Sequence, residues 1–185
     1  VQQAARALAA ALRGLGRNPE ASALLADLPE ILPADDAGER EATLTRLDAL
    51  AAAFAREGDH AEAESYRRQA LALARETFDP TDRRIGQRAF DLGVACYNQG
   101  KWSEAEVHYR ESLDIFRPAL GDEHPLTLLA LDYVGVALET QEKLAEALPF
   151  YEEALAITRR LRGDEHPDTT SMAGKVERVR RRLGS

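Results

Sequence analysis

Apolar and small residues recur every three or four positions along most of the chain, in stretches separated by short polar breaks. Around the break at residues 98–101, such residues are Leu92, Gly93 and Cys96 on one side, and Ala105, Tyr109 and Leu113 on the other. This spacing puts each set on one face of a helix, so the pattern predicts two helices joined by a tight turn. Gly100 suits the turn, because a residue without a Cβ readily adopts a left-handed conformation after a helix.

The hairpin pattern repeats along the chain with a fixed period. The segment Gly-Asp-Glu-His-Pro at residues 121–125 recurs at residues 163–167, an offset of 42 residues. The same offset aligns further sets of positions: Ala21, Ala63, Ala105 and Ala147; Leu8, Leu50, Leu92 and Val134; Leu12, Phe54, Cys96 and Leu138; and Gly16, Gly58, Gly100 and Glu142. Four copies in one frame predict a stack of similar two-helix units, each burying its inner face against the next.

The periodic stretches predict helices near residues 2–14, 18–29, 40–57, 60–77, 83–99, 102–118, 125–141, 144–161 and 168–183. Residues 29–40, which include Pro33 and two aspartates, are predicted to form an irregular connector. The last helix has no partner in the pattern, so we expect it to cap the last hairpin. Ala, Leu, Glu and Arg dominate the composition, which favours helix over sheet. The predicted fold class is therefore all-α.

We expect a single solenoid domain over residues 1–185, built from about four antiparallel helix hairpins and a capping helix. Its predicted parts are a degenerate hairpin at 2–36, repeats at 40–78, 83–119 and 125–162, and the capping helix at 167–183. Small residues at matching positions, such as Gly93, Gly135 and Ala105, are interpreted as points where paired helices approach closely. Because the sequence begins with Val1, we expect it to be a fragment of a larger protein.

Charge and cysteine content narrow the function classes. The formal net charge of -8 and pI near 5.1 argue against a nucleic-acid binder, since phosphate binding needs clustered Lys and Arg. The sequence has neither a run of apolar residues long enough to span a membrane nor a signal-peptide pattern, so no membrane partner is expected. The single cysteine, Cys96, cannot form an intrachain disulfide, and a cytoplasmic location is the expectation.

The repeated residues resemble the tetratricopeptide repeat. The matching positions are Leu92, Gly93, Ala105, Tyr109 and Ser112 in one copy, and Val134, Gly135, Ala147, Tyr151 and Ala154 in the next. The 42-residue period with Gly-x-x-His-Pro between units is similar to the long-helix repeats of kinesin light chains and of many bacterial signalling proteins. This resemblance implies a right-handed superhelical solenoid whose first helices line a concave surface that binds protein or peptide partners.

The resemblance also implies which side chains face that concave groove. They are Thr45, Asp48, Ala52 and Arg56, then Gln87, Phe90, Val94, Tyr97 and Asn98, then Leu129, Asp132, Val136 and Glu139. The hypothesis is a mixed groove that offers apolar and hydrogen-bonding contacts to a peptide, with its acidic residues indicating a basic partner segment; the alternative is an ordinary solvated set of helix faces. The paired Asn residues of kinesin light chain grooves are replaced here by Phe90 and Asp91, and by Asp132 and Tyr133. The specificity of that family is therefore not carried over.

Candidate catalytic and metal-binding residues do not form a convincing set in the sequence. His124 and His166 each follow Asp-Glu, but their repeat spacing places them in successive turns rather than around one ion. His60 and His108 are isolated, and Cys96 has no activating base nearby in the sequence. We therefore expect a non-enzymatic protein that needs no cofactor and no metal.

The C-terminal region differs in charge from the rest of the chain. Residues 159–182 contain eight Lys or Arg residues and four Asp or Glu residues. This basic end favours either a docking face for an acidic partner or head-to-tail stacking of solenoid ends, while a solvated capping helix is the simpler interpretation. The alternative function is accordingly a regulatory or self-associating domain of a larger, bacterial-type signalling protein.

Overall fold

The computed structural model describes residues 37–184, which form seven α-helices and no strand. We label them in chain order: α1 Ala37–Arg56, α2 His60–Thr77, α3 Arg83–Asn98, α4 Trp102–Leu120, α5 Pro125–Thr140, α6 Leu144–Arg162 and α7 Pro167–Gly184. Helices α1 and α2, α3 and α4, and α5 and α6 form three antiparallel hairpins, and each helix packs against the next one along the chain. The described part is thus an all-α helical-repeat solenoid. None of its helices combines the length and the apolar character needed to cross a membrane.

Helix ends explain the recurring Gly-Asp-Glu-His-Pro segment. The Nδ1 atom of His124 accepts a hydrogen bond from the backbone N–H of Leu126, at 3.1 Å, and so caps the start of α5, where Pro125 is the first residue. His166 caps α7 in the same way, at 3.2 Å from the N–H of Asp168. Both histidines thereby satisfy an N–H that has no partner within the helix. The segment ends one helix and starts the next.

Residues that are 42 positions apart in the sequence occupy equivalent buried positions in the structure. Ala63, Ala105 and Ala147 are each 0% exposed, where the second helix of each hairpin begins to pack. Tyr109 and Tyr151 are likewise fully buried, and each ring lies against the glycine of its partner helix, Gly93 or Gly135. The glycines of the first helices therefore make room for a tyrosine ring. The sequence predicted that paired helices approach closely at these glycines, but it did not predict the ring.

The predicted helix bounds agree with the structure to within about three residues throughout the described part. One correction concerns the predicted connector at 29–40, because α1 already begins at Ala37. Residues 37–41 contain one glycine, Gly38, and no proline. Because no strong stop signal is present there, the helix starts earlier than predicted. The predicted helices at 2–14 and 18–29, and the whole of the degenerate hairpin at 2–36, lie outside the described residues.

Candidate functional site

The first helices of successive hairpins lie side by side and are joined by direct side-chain contacts. Arg88 of α3 donates to Asp48 of α1 at 2.8 Å. The hydroxyl groups of Tyr97 in α3 and Thr140 in α5 are 3.0 Å apart. Helix α7 continues this row, since Lys175 lies 2.5 Å from Asp132 of α5. We call the outward side of α1, α3, α5 and α7 the groove face.

Most of the residues predicted to face the groove lie on this surface. Thr45, Ala52, Arg56, Asn98 and Leu129 are exposed, and Asp48, Gln87, Val94, Tyr97, Asp132, Val136 and Glu139 are half-buried. Half-burial between neighbouring helices suits a contact surface, because such side chains are held in place and still reach a bound molecule. Leu129 is 39% exposed, which makes it one of the few large apolar side chains on the described surface.

Phe90 is a correction to the predicted groove set. Its side chain is only 7% exposed and lies among aromatic rings, with centroids 5.3 Å from Tyr109 and 5.0 Å from Tyr133. Edge-to-face and tilted ring pairs at these distances stabilise packing. Phe90 therefore belongs to the core between α3 and α5. Tyr133, which is not among the residues predicted to face the groove, is the half-buried member of the cluster that reaches the surface.

Between α1 and α3 the groove face carries charged residues in place of the aromatic cluster. Arg67 of α2 occupies the position of Tyr109 in the repeat and lies 3.4 Å from Asp91 of α3. Burial raises the pKa of Asp91, and Arg67 opposes this shift only in part. Burial likewise raises the pKa of Asp48 despite its contact with Arg88. Two carboxylates and two guanidinium groups thus cancel in charge at this junction.

The acidic residues predicted to attract a basic partner bind cations of this chain. Glu139 accepts hydrogen bonds from Arg178 at 2.8 Å, from Arg182 at 3.1 Å, and from the hydroxyl of Tyr151 at 3.0 Å. The pKa of Glu139 is lowered, and the hydrogen bond from Arg178 is the largest cause. Asp132 is bound by Lys175. Helix α7 therefore supplies, from within the chain, the positive charge that these acidic residues were predicted to attract from a partner.

The basic C-terminal end is also mostly neutralised. Within residues 37–184, seven of its eight cationic residues pair with carboxylates, and Arg181 is the exception. The pairs are Arg159 with Asp164, Arg160 with Glu123, Arg162 with Asp168, Lys175 with Asp132, Arg178 with Glu139, Arg180 with Glu152 and Arg182 with Glu142. A surface whose cations are already paired attracts an acidic partner weakly. The geometry therefore gives little support to a docking face for an acidic partner.

Two of the four histidines, and the cysteine, occupy separate places in the structure. His124 and His166 cap separate helices, as described above. Among the described residues, one group of potential metal ligands lies close together: Glu64, Cys96 and Glu104 offer ligand atoms within 4.8 Å of one another. Lys101 and Arg68 already bind Glu64, at 2.6 Å and 2.7 Å, so they compete with any cation. Burial raises the pKa of the Cys96 thiol to about 11, which opposes the thiolate form that binds metals.

Comparison with known proteins agrees with this architecture. The family model described as tetratricopeptide repeat matches residues 39–117 and 87–160. The sequence by itself matches no curated protein significantly.

Among solved structures, the kinesin light chain of Podosopora anserina with nearly identical TPR-like repeats superposes with a TM-score of 0.71 at 21% identity, covering 98% of this chain and 86% of that chain. BtubC (BKLC) of P. vanneervenii gives a TM-score of 0.71 at 21% identity, covering 96% of this chain and 70% of that chain. The apo form of RapI gives 0.65 at 12% identity, covering 92% and 57%. At these identities the likeness concerns the fold.

Proposed function

Because the chain belongs to the tetratricopeptide repeat family, we propose that it is a scaffold that holds a peptide or protein partner on its groove face. Repeats of this family generally mediate protein interactions, and stacked hairpins present an extended surface for them. The proposal includes no catalytic step, and it places the protein in the cytoplasm, as the single cysteine led us to expect.

One observation carries the proposal: a row of half-buried and exposed side chains continues across adjacent first helices. Val94 and Asn98 of α3 and Val136 of α5 are exposed or half-buried, and the Tyr97 to Thr140 contact joins these two helices. Apolar groups flanked by an amide can receive an extended or helical segment without burying an unpaired charge. We therefore propose Val94, Asn98, Leu129 and Val136 as the main contact residues.

The charge pattern narrows the proposed partner. Asp48, Asp132 and Glu139 are engaged by Arg88, Lys175 and Arg178, so the groove face does not present them as free acids. A partner would gain little from basic residues there, because it would have to displace an internal cation. We propose instead a segment that contacts the groove chiefly through apolar side chains and uncharged hydrogen bonds.

The test is a selection of peptides from a displayed random library, followed by measurement of their dissociation constants for three proteins. Val94→Arg combined with Val136→Arg places two charges on the groove face and should weaken binding at least roughly tenfold. Val107→Arg is the matched control, since Val107 is 62% exposed on the second helix α4. It should bind like the unchanged protein. Circular dichroism checks that all three remain helical.

Equal binding by the groove variant and the control would remove the groove face as the binding surface. Tyr97 is avoided in this test because its substitution would also break the contact with Thr140 and confuse packing with binding. Asn98→Ala serves as a milder second variant, because Asn98 is exposed and makes no hydrogen bond through its side chain in the described part.

A further inference from the structure

A cavity of about 270 Å³ lies between the N-terminal halves of α5 and α7, against the last turns of α6. Its apolar walls are Leu128, Leu129 and Met172, and Thr158 of α6 lines its inner side. Asp132 and Lys175 form an ion pair on one part of the rim, and Arg162 and Asp168 form another. Leu129 and Asp132 belong both to the lining of the cavity and to the groove face.

The 42-residue frame explains why space is left here. At the preceding junction, between α3 and α5, the equivalent positions are aromatic: Phe90, Phe116 and Tyr133 stand where Asp132, Thr158 and Lys175 stand at this junction. Phe116 is 1% exposed, and the Phe90 and Tyr133 rings touch, so that junction is filled. Leu128 replaces Gly86 and restores part of the lost volume. The three rings are replaced by the side chains of Asp132, Thr158 and Lys175, and a second apolar gain is Met172, which stands in place of Ala130.

The volume of the cavity and the ion pairs on its rim limit which side chains it can hold. Ligand sites for whole drug-sized molecules usually measure about 300–1,000 Å³, so the smaller cavity suits a single side chain. The two rim pairs cancel in charge, which disfavours a charged occupant that would have to break one of them. A flat uncharged ring can lie against Leu129 and Met172 with the Lys175 ammonium beside its face, an arrangement that a leucine side chain cannot exploit.

We propose that this cavity is a subsite for one aromatic side chain, Phe or Tyr, of a peptide held on the groove face. The inference rests on the proposed function, because the ring belongs to the bound peptide. It assigns to α7 a part in binding beyond capping, since Met172 and Lys175 form one wall of the subsite.

The chain offers a direct probe of the cavity, because Met172 is its single methionine. Labelling the methionine methyl group with carbon-13 gives one resonance from the cavity wall, and Met172→Leu assigns it by removing it. N-acetyl-tyrosinamide and N-acetyl-phenylalaninamide should shift this resonance upfield in a saturable way through the ring current. N-acetyl-leucinamide, the aliphatic control, should shift it little at the same concentrations.

Substitutions at two neighbouring exposed residues of α7 distinguish binding in the subsite from binding elsewhere on the surface. Ser171→Trp places a bulky ring at the rim and should weaken the binding of N-acetyl-tyrosinamide at least roughly tenfold. Thr170→Trp, one residue away and outside the cavity lining, should leave the affinity within about twofold. Leu129→Ala should weaken binding by a smaller factor because one apolar wall is shortened.

An absent methyl shift, an equal affinity for the leucine compound, or equal effects of Ser171→Trp and Thr170→Trp would each overturn the subsite. Val107→Arg, on the second helix α4 and outside the cavity lining, should not affect binding of the small compounds. If the small compounds fail while selected peptides still depend on the groove face, only the subsite is refuted. If the compounds bind and peptides ignore the groove face, the proposed function fails instead.

Discussion

At the scale of single residues, the first helices contain glycine where the facing side chain is tyrosine. A Cβ built on Gly93 would lie 2.6 Å from the Tyr109 ring, and one on Gly135 would lie 2.6 Å from the Tyr151 ring. At the equivalent position of the first described hairpin the residue is Ala51, and the facing residue is Arg67. Glycine thus occurs where the facing residue is tyrosine, and alanine occurs where it is arginine. We infer that the tyrosine ring, and not the conformation of the helix, requires glycine.

Gly93→Ala should therefore destabilise the protein by about 1–3 kcal/mol, the usual cost of forcing an extra methyl group into a packed site. Gly174→Ala is the matched control, because nothing lies within 4 Å of a Cβ at Gly174 in α7. It should gain about 0.5–1 kcal/mol, since alanine favours a helix more than glycine does. Urea unfolding followed by circular dichroism measures both, and equal stabilities would contradict the explanation.

The two buried tyrosine hydroxyl groups differ in their partners. Tyr151 donates to Glu139, whereas within the described residues the Tyr109 hydroxyl is buried without a hydrogen-bond partner. Tyr151→Phe should thus cost about 1–2 kcal/mol, and Tyr109→Phe should be neutral or slightly stabilising. Paired urea titrations test this difference. The reverse order of stabilities would show that the Tyr109 hydroxyl has a partner in solution.

At the scale of elements, one glutamate in α2 and one in α4 connect these second helices by hydrogen bonds to the turn of the following hairpin. Glu64 of α2 accepts hydrogen bonds from Lys101 and from Gln99, both at 2.6 Å. Glu106 of α4 repeats the arrangement with Lys143 at 3.0 Å and Gln141 at 2.9 Å. The next copy has Leu148 at the equivalent position, so this tie ends with the third hairpin.

The hydrogen bonds that Glu64 and Glu106 accept predict that the stability of the protein depends on pH. Burial by itself would raise the pKa of Glu64 and of Glu106, but the hydrogen bonds from lysine, arginine and glutamine together lower both below 4.5. Groups with a lowered pKa stabilise the folded state fully above the unfolded value, and that contribution is lost as the pH falls through the folded value. Stability should therefore decline below a pH of about 4.5.

The double variant Glu64→Gln with Glu106→Gln tests the assignment. At pH 6 it should be less stable than the unchanged protein by roughly 1–3 kcal/mol, because charge-assisted hydrogen bonds become neutral ones. Its stability should also change less between about pH 6 and pH 3, since two of the titrating groups are gone. Urea midpoints at several pH values measure both effects, and parallel pH profiles would assign the acid sensitivity to other carboxylates.

At the scale of the whole described part, the last helix is held largely by charge. Only Thr169, Val176 and Val179 of α7 are buried, whereas Lys175, Arg178 and Arg182 pair with carboxylates of α5 and the turn after it. Ion pairs near the surface contribute modestly and are screened by salt. The end of the solenoid should therefore open more easily than its middle.

Lys175→Ala combined with Arg178→Ala should make the amide protons of α7 exchange several-fold faster while those of α3 keep their rates. Raising the salt concentration to about 0.5 M should act on the unchanged protein in the same direction. Arg181→Ala is the control, because Arg181 takes no part in the ion pairs of the described residues. Equal exchange in all three proteins would show that apolar contacts alone hold α7.

Within the described residues, the local pattern was enough to predict the helices, with bounds within about three residues, and the 42-residue frame, because periodicity and turn residues depend on near neighbours in the sequence. It could not predict the contacts between copies. Phe90 was assigned to the groove face and lies in the core, since helical spacing gives a face but not its rotation toward the neighbouring helix. Asp132 and Glu139 were expected to meet a partner, and they meet α7 instead.

The sequence by itself therefore determined an all-α repeat protein with matching small and apolar positions in each unit. Only the tertiary structure decided which charges cancel, which buried tyrosine hydroxyl has no hydrogen-bond partner within the described residues, and where a cavity remains between α5 and α7. The physical reason is that these features depend on side chains about 40 positions apart, brought together by stacking, and one unit can replace a ring with an ion pair without changing its own helical pattern.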